Sequence, residues 1–413
     1  MASRNCTRFK NMTPHETYYR KGFGLKAAVQ GELDADYSGG LVDLMREREF
    51  SLTVRDVTIR LAREFGFCYG VERAVEYAYQ TRSKFPERPI FLVGEIIHNP
   101  HVNAKLRSMG ITILRPENGA FDYSEVSPQD VVILPAFGVT IRDFETLREI
   151  GCVIVDTTCG SVLNVWKRVE SYARDGFTAL IHGKYYHEET RATASQVTKF
   201  AGGQYLIVRD MEEARLVCQY IEGALDRDAL MQQLGKGAGP GFDPAAHLTR
   251  IGVANQTTML ARESLAIAEE VGRAMERAHG PAHRAEHFRS FDTICSATQD
   301  RQDAVEELLR EPLDAMLVIG GYNSSNTISL AAICSARAPT YHVEDATCID
   351  PERGTIRHWD ATRKGEVETA GWLGSTGALR VGITAGASTP NNKIGDAIAR
   401  VLATRGIGKD DIL

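Results

Sequence analysis

No run of apolar residues in this sequence approaches the roughly 18 needed to cross a bilayer, so it offers no membrane-spanning helix. There is no excess of basic charge. The 48 Lys and Arg stand against 54 Asp and Glu, a net charge of -6, and that balance gives no reason to expect nucleic acid or an anionic membrane as a partner. The amino terminus lacks the apolar core of a secretory signal. Glu32, Asp34 and Asp36 soon follow its few Arg and Ser, which weakens a transit-peptide reading. None of the eight cysteines forms a C-x-x-C pair, and a chain of 413 residues does not need disulfide staples, so a reducing cytosol is expected. The glycine-rich stretch Gly235-Lys-Gly-Ala-Gly-Pro-Gly has neither the spacing of a phosphate loop nor a strand just before it.

What is present is ordinary in bulk. Apolar residues make up 43% and charged residues 25%, as in a globular protein with real cores. At ~150 residues per domain, the length predicts about three domains. The local pattern agrees. Val57–Leu61 reads as a strand leading through Phe65-Gly66-Phe67 to Cys68, and an amphipathic helix follows with Val71, Ala74, Val75, Ala78 and Tyr79 on one face. The arrangement recurs at Val153–Cys159, with Val162, Val165, Trp166 and Val169 on the next helix. It recurs again at Phe291–Cys295, read as a strand, with Ala304, Val305, Leu308 and Leu309 following. Each cysteine thus stands at the carboxyl end of a strand, the edge where open α/β sheets bind ligands.

Each cysteine is followed, after 28 to 30 positions, by a polar loop. These are His98-Asn99, His187-Glu188-Glu189 and Asn323-Ser324-Ser325-Asn326. A third strand and loop complete each unit: Pro135-Ala-Phe-Gly, Asn255-Gln256-Thr257-Thr258 and Thr384-Ala-Gly-Ala-Ser388. The predicted fold is therefore α/β, with three pseudo-repeated domains, each a small mostly parallel sheet flanked by helices, around a shared centre. The expected boundaries are an extension at 1–52, loosely packed apart from a short helix at Gly40–Arg48, and units at 53–152, 153–290 (with an insertion loop at 226–247) and 291–413. Residues 350–377 read as a surface excursion.

Buried small hydrophobes account for five of the cysteines. Cys68, Cys159 and Cys295 differ because each holds the same place in its repeat. Three such thiolates could hold zinc or an iron–sulfur cluster. Structural zinc usually takes four ligands at short local spacing, and no fourth cysteine occupies a matching place. A four-iron cluster on three cysteines leaves one iron open as a Lewis acid and electron donor. His98 and His187 are candidate contacts to an anion, although solvated loop histidines are the plainer reading. Glu189 is a candidate proton donor. The Ser324, Ser325, Asn326 loop and the Ser388 loop each precede a helix and could cradle an anion with free amides and hydroxyls, although either alone could be a capping turn. His101 reads as structural.

As a set, Phe-Gly-Phe-Cys68-Tyr-Gly-Val-Glu-Arg-Ala, Glu95-Ile-Ile-His98-Asn, Asp156-Thr-Thr-Cys159, His187-Glu-Glu189, Asn255-Gln-Thr257-Thr, Cys295-Ser-Ala-Thr-Gln-Asp-Arg-Gln, Asn323-Ser-Ser-Asn326 and Thr384-Ala-Gly-Ala-Ser388 resemble the IspH (LytB) family, in collinear order over about 55–400. The amino-terminal extension, His182-Gly-Lys-Tyr and the central insertion resemble its longer plant and cyanobacterial branch. The resemblance implies a trefoil around one [4Fe–4S] cluster per subunit, held by Cys68, Cys159 and Cys295 with one open iron. It implies reductive dehydroxylation of 4-hydroxy-3-methylbut-2-enyl diphosphate to isopentenyl and dimethylallyl diphosphate, the last step of the methylerythritol phosphate isoprenoid pathway. Ferredoxin or flavodoxin would supply electrons. Glu189 would donate a proton, Thr257 would position the substrate hydroxyl or a relay water, and His98, His187, Ser324, Ser325, Asn326 and Ser388 would hold the diphosphate. The setting implied is cytoplasmic, or the plastid stroma for a plant or algal source.

Two positions depart from the family pattern. Phe137 stands where many members have His, a trait of the long branch that removes one diphosphate donor. Gly160-Ser161 follows Cys159 where Pro is common; proline would preset the first helical turn, so the loop is expected to be looser and a cluster there more exposed to oxygen. The rival readings are a non-redox hydratase or dehydratase of aconitase type, which would consume no electrons, and an iron–sulfur redox sensor. A sensor would have no need of His187, Glu189 and the Ser/Asn loops.

Overall fold

The computed structural model describes residues 17–117, 119–374 and 377–412. Cys6 lies outside them.

The central strands are short, unbroken apolar runs such as Ile90–Val93, Val131–Leu134 and Val153–Asp156, buried at every position. Runs of this kind belong to parallel sheets covered by helices on both faces. Three sheets form. The first orders Tyr18–Tyr19, Val153–Asp156, Val131–Leu134, Ile90–Val93 and Ile111–Leu114, all parallel. The second orders Phe288–Ser290, Ile251–Asn255, Thr178–His182 and Tyr205–Val208, again all parallel. The third has a parallel centre of Thr340–Val343, Ala315–Ile319, Leu379–Ala385 and Val57–Leu61, with antiparallel strands at both edges.

One order recurs in all three: the strand leading to a cysteine, then the third strand of a unit, its second strand, and the strand lying between those two in sequence (Ile111–Leu114, Tyr205–Val208 or Thr340–Val343). The leading strand is not in the sheet of the unit it opens. Val57–Leu61 pairs with Leu379–Ala385, Val153–Asp156 with Val131–Leu134, and Phe288–Ser290 with Ile251–Asn255. Sheet membership is therefore shifted by one strand from the expected units starting at 53, 153 and 291. The reason is connectivity. A cysteine loop that leaves one sheet and enters the helix of the next unit lies between the two, and the strand before it stays with the sheet it leaves.

Other expectations change as well. The third leading strand is Phe288–Ser290, and 291–295 is a loop. Beyond Ser290 the backbone ladder gives way to side-chain bonds, with the Asn255 amide donating to Thr293 Oγ1 at 3.0 Å. The extension is packed over its described part. Helix Lys26–Tyr37 lies against the Cys68 helix, Tyr79 Oη donates to Asp36 at 2.7 Å, and Gln80 Oε1 accepts the Phe23 and Leu25 amides at 2.9 and 3.2 Å. Gly40–Glu47 is the expected short helix. The insertion begins as a helix, Arg227–Leu234, capped by Asp226 and anchored by buried Leu230 and Leu234. The 350–377 excursion includes a β-hairpin, Thr355–Asp360 with Gly365–Ala370, that extends the third sheet. Among the described residues, no helix is long and apolar enough to cross a membrane.

Candidate active site

Each of the three cysteines occupies the N-cap position of a helix: Cys68 before Tyr69–Lys84, Cys159 before Gly160–Arg174, Cys295 before Ser296–Leu308. None caps its helix through the side chain. First-turn amides are the unpaired donors of a helix, and those of Gly70 and Val71 act on the Cys68 thiol. Each cysteine amide is tied to the third-strand loop of the sheet it leaves. Cys68 N donates to Ala387 O at 3.2 Å, Cys159 N to Ala136 O at 2.9 Å and Cys295 N to Thr257 O at 3.3 Å. The threefold repeat thus brings the thiols to one centre by the same backbone device three times.

The centre is a cavity lined by Cys68, Cys159, Cys295, His98, His187, Glu189, Thr257, Ser324, Ser325, Asn326 and Ser388. Every side chain singled out from sequence for a site faces this one space. Burial raises the thiols of Cys68 and Cys295, the latter to about 11 against hydrogen bonds from Thr298. Three thiolates in so dry a place need cationic compensation. The three sulfurs do not all lie within 4.8 Å of one another. A single zinc with bonds near 2.3 Å needs its sulfurs about 3.8 Å apart, closer than they lie here. Gly70 keeps the centre open, since a Cβ there would sit 2.5 Å from Cys159 Sγ and 3.9 Å from Cys68 Sγ.

On the polar side, His187 caps helix Glu188–Ser195 by accepting the Glu189 amide at Nδ1, 3.1 Å. Its proton is therefore on Nε2, which faces His98 Nε2 at 3.2 Å. Burial opposes charge on His98, but hydrogen bonds to Glu188 and Glu95 outweigh it and raise the group to about 9. Burial and the neighbouring His98 charge lower His187 to about 3. Cationic His98 and neutral His187 then bring two Nε2–H groups to one spot, where that of His98 also lies 3.5 Å from a Glu188 oxygen. An anionic oxygen placed between them would accept both. His98, His187 and Glu188 are also the one group of three, among the described residues, whose ligating atoms lie within 4.8 Å, but those atoms are engaged in this charge arrangement. Phe137 stacks on His98 at 4.4 Å and meets His187 edge-on at 5.5 Å. Its ring packs against both imidazoles.

Glu189 is 1% exposed, and burial pushes its carboxyl up to about 7 even though Oε1 accepts the Thr257 amide at 2.6 Å. A carboxyl protonated near neutrality can give a proton. Ser324 caps helix Ser325–Ser335. Ser388 Oγ donates to His98 O at 3.1 Å, tying the third unit to the first, and Asn326 Oδ1 accepts the Ala387 amide at 2.9 Å, tying two loops of the third unit together. His101 pairs with Asp345 at 2.6 Å and is absent from the cavity lining.

The sequence reading missed several supports. Lys184 Nζ reaches Ser325 Oγ at 3.2 Å, and burial lowers its pKa. Gln256 joins Thr190, Thr258 and Ser325. Thr298 Oγ1 lies 3.0 Å from Cys295 Sγ. Thr298 had a local signal, a hydroxyl three residues after an N-cap; Lys184 and, apart from its bond to neighbouring Thr258, Gln256 act across 66 to 141 positions.

A model of the LytB protein family matches residues 59–402. The chain belongs to the LytB family. The 4-hydroxy-3-methylbut-2-enyl diphosphate reductase of Gloeobacter violaceus is 48% identical over 399 residues, covering 95% of this chain and 94% of that one. The reductase of the same name from Thermosynechococcus vestitus is 47% identical over 399 residues, covering 96% and 97%. A solved (E)-4-hydroxy-3-methyl-but-2-enyl diphosphate reductase superposes with a TM-score of 0.51 at 27% identity, covering 84% of this chain and 99% of that one. The Plasmodium falciparum E-1-hydroxy-2-methyl-but-2-enyl-4-diphosphate reductase shares the fold, with a TM-score of 0.60 at 20% identity over 83% and 87% of the two chains.

Proposed function

We propose that this LytB-family chain is a 4-hydroxy-3-methylbut-2-enyl diphosphate reductase that yields isopentenyl and dimethylallyl diphosphate. The observation that carries the reading is the meeting, in one cavity, of three N-capping cysteines, a paired-imidazole anion site and a buried carboxyl near neutrality. The reaction consumes two electrons and two protons: the C–O bond breaks, the hydroxyl leaves as water, and a C–H bond forms at one end of the allylic system. Cys68, Cys159 and Cys295 would hold a [4Fe–4S] cluster, which when bound supplies the electrons and an open iron for the leaving oxygen. The chain's own groups do the rest. His98, His187, Ser324, Ser325, Asn326 and Ser388 anchor the diphosphate through charge-assisted bonds, and that anchoring holds the hydroxymethyl end at the thiol side of the cavity. Glu189 gives a proton, and Thr257, whose amide is bonded to it, positions the hydroxyl or a water between them. A ferredoxin or flavodoxin delivers the electrons one at a time.

The test is anaerobic. Reduced viologen is mixed with reconstituted protein, and its oxidation is followed on adding the substrate. Substrate-dependent oxidation that is absent in Cys159→Ser is the expected result. Protein that holds four irons but consumes no electrons would sink the reductase reading and favour a hydratase or a sensor.

A further inference from the structure

Arg301 is 3% exposed, on the helix that follows Cys295. Among the described residues, every acceptor it uses is a backbone carbonyl and none is a carboxylate. Nη1 donates to Ala297 O at 2.8 Å in its own helix. Nη2 donates to Gly66 O at 2.7 Å and reaches Phe65 O at 3.5 Å, in the loop that delivers Cys68. Nε is buried without a partner. Burying a guanidinium without a counter-charge is costly. Gly66 sits at φ +71°, so this loop has a turn that resists other residues, and Arg301 binds it at that turn.

A second arginine provides an internal comparison. Arg73, on the Cys68 helix, donates to Thr158 O at 3.1 Å, next to Cys159, and to Arg20 O at 3.0 Å. Its position in the repeat is similar, five residues after its cysteine where Arg301 is six. It is only partly buried and stacks over Tyr77. Water screens its charge, whereas the charge of Arg301 acts through protein.

We propose that Arg301 is a positioning residue of the sulfur site, splinting the Cys68 loop to the Cys295 helix and supplying the buried positive charge that balances the cluster thiolates. This rests on Cys68, Cys159 and Cys295 being cluster ligands. It accounts for both oddities of Arg301: its counter-charge is the cluster site, and its carbonyl acceptors are the two segments that must be held in register. The carbonyls it holds belong to Gly66, two residues before Cys68, and to Ala297, two residues after Cys295.

The test compares reconstituted wild type, R301Q, R301K and R73Q by redox titration followed by electron paramagnetic resonance, and by the rate of cluster loss to a chelator. R301Q is expected to shift the midpoint potential to more negative values, because a reduced cluster loses a stabilising cation, and to release iron about 10-fold faster. R301K keeps the charge but not the two-pronged contact, so its potential stays near wild type while its cluster loss accelerates. R73Q leaves the potential unchanged. R301Q with the potential and release rate of wild type overturns the proposal. If R301Q does not fold, R301K decides: release as slow as wild type overturns the splint. Wild-type protein that takes up no iron removes the cluster assignment and this proposal together. Iron-bound wild type with unaltered variants removes the proposal alone.

Discussion

Glu189 shows how burial and hydrogen bonding divide at the scale of one residue. Burial pushes its carboxyl up to about 7, and the Thr257 amide, which favours the charged form, does not bring it back to the ordinary range. The sign is clear. The proton is present below about 7 and is lost as pH rises through it, so a step that uses it should slow with unit slope on the alkaline side. Single-turnover rates across pH check this. Glu189→Gln should keep iron and substrate binding, lose the alkaline limb, and fall by about 10²- to 10⁴-fold in rate; a normal rate removes Glu189 as the donor. The residue was legible in sequence because His187-Glu188-Glu189 packs ionisable groups just after a buried strand. Its bond to the Thr257 amide was not, since that residue lies 68 positions away.

At the scale of the element, each cysteine helix is placed by its N-cap cysteine, whose amide is bonded to a third-strand loop. Serine or aspartate at an N-cap would accept a first-turn amide; cysteine there leaves the amides to act on sulfur. Gly160 opens the second of these helices, and a Cβ at that position would meet nothing within 4 Å. The expected looseness of this loop therefore has a remedy that the fold can hold. Gly160→Pro should raise the melting free energy by about 0.4–1 kcal/mol by restricting the unfolded chain and should slow cluster loss in air. A lower melting temperature would show that the Gly160 amide or backbone angle is needed. Helices and central strands were legible because their periods are strong. The Thr355–Asp360 and Gly365–Ala370 hairpin was not, because the second strand alternates partial and full exposure and the first has one buried residue, Ile356, so the pair carries little apolar signal.

Across the whole molecule, the cavity belongs to no single unit. His98 comes from the first unit, His187 and Glu189 from the second, and the Ser324 and Ser388 loops from the third, with cross-bonds such as Ser388 Oγ to His98 O. An anion bound there should stabilise the entire chain. Pyrophosphate at about 100 times its dissociation constant should add about 2.7 kcal/mol to the unfolding free energy, seen as a rise in melting temperature. His98 carries its charge below about 9. The shift should therefore persist at neutral pH, fade as pH rises through about 9, and be small in His98→Ala. An equal shift in that variant would place the anion elsewhere.

The sequence alone determined the repeat, the parallel α/β class and many of the polar residues that line the cavity. Those depend on local period and on spacing within one unit, which a linear pattern records. Tertiary structure decided which sheet each leading strand joins, how the extension packs, and which charges meet. Those outcomes depend on contacts between residues far apart in the chain. The burial that raises Glu189, the imidazole pair of His98 and His187, and the isolated cation of Arg301 exist only once three units have closed around one centre.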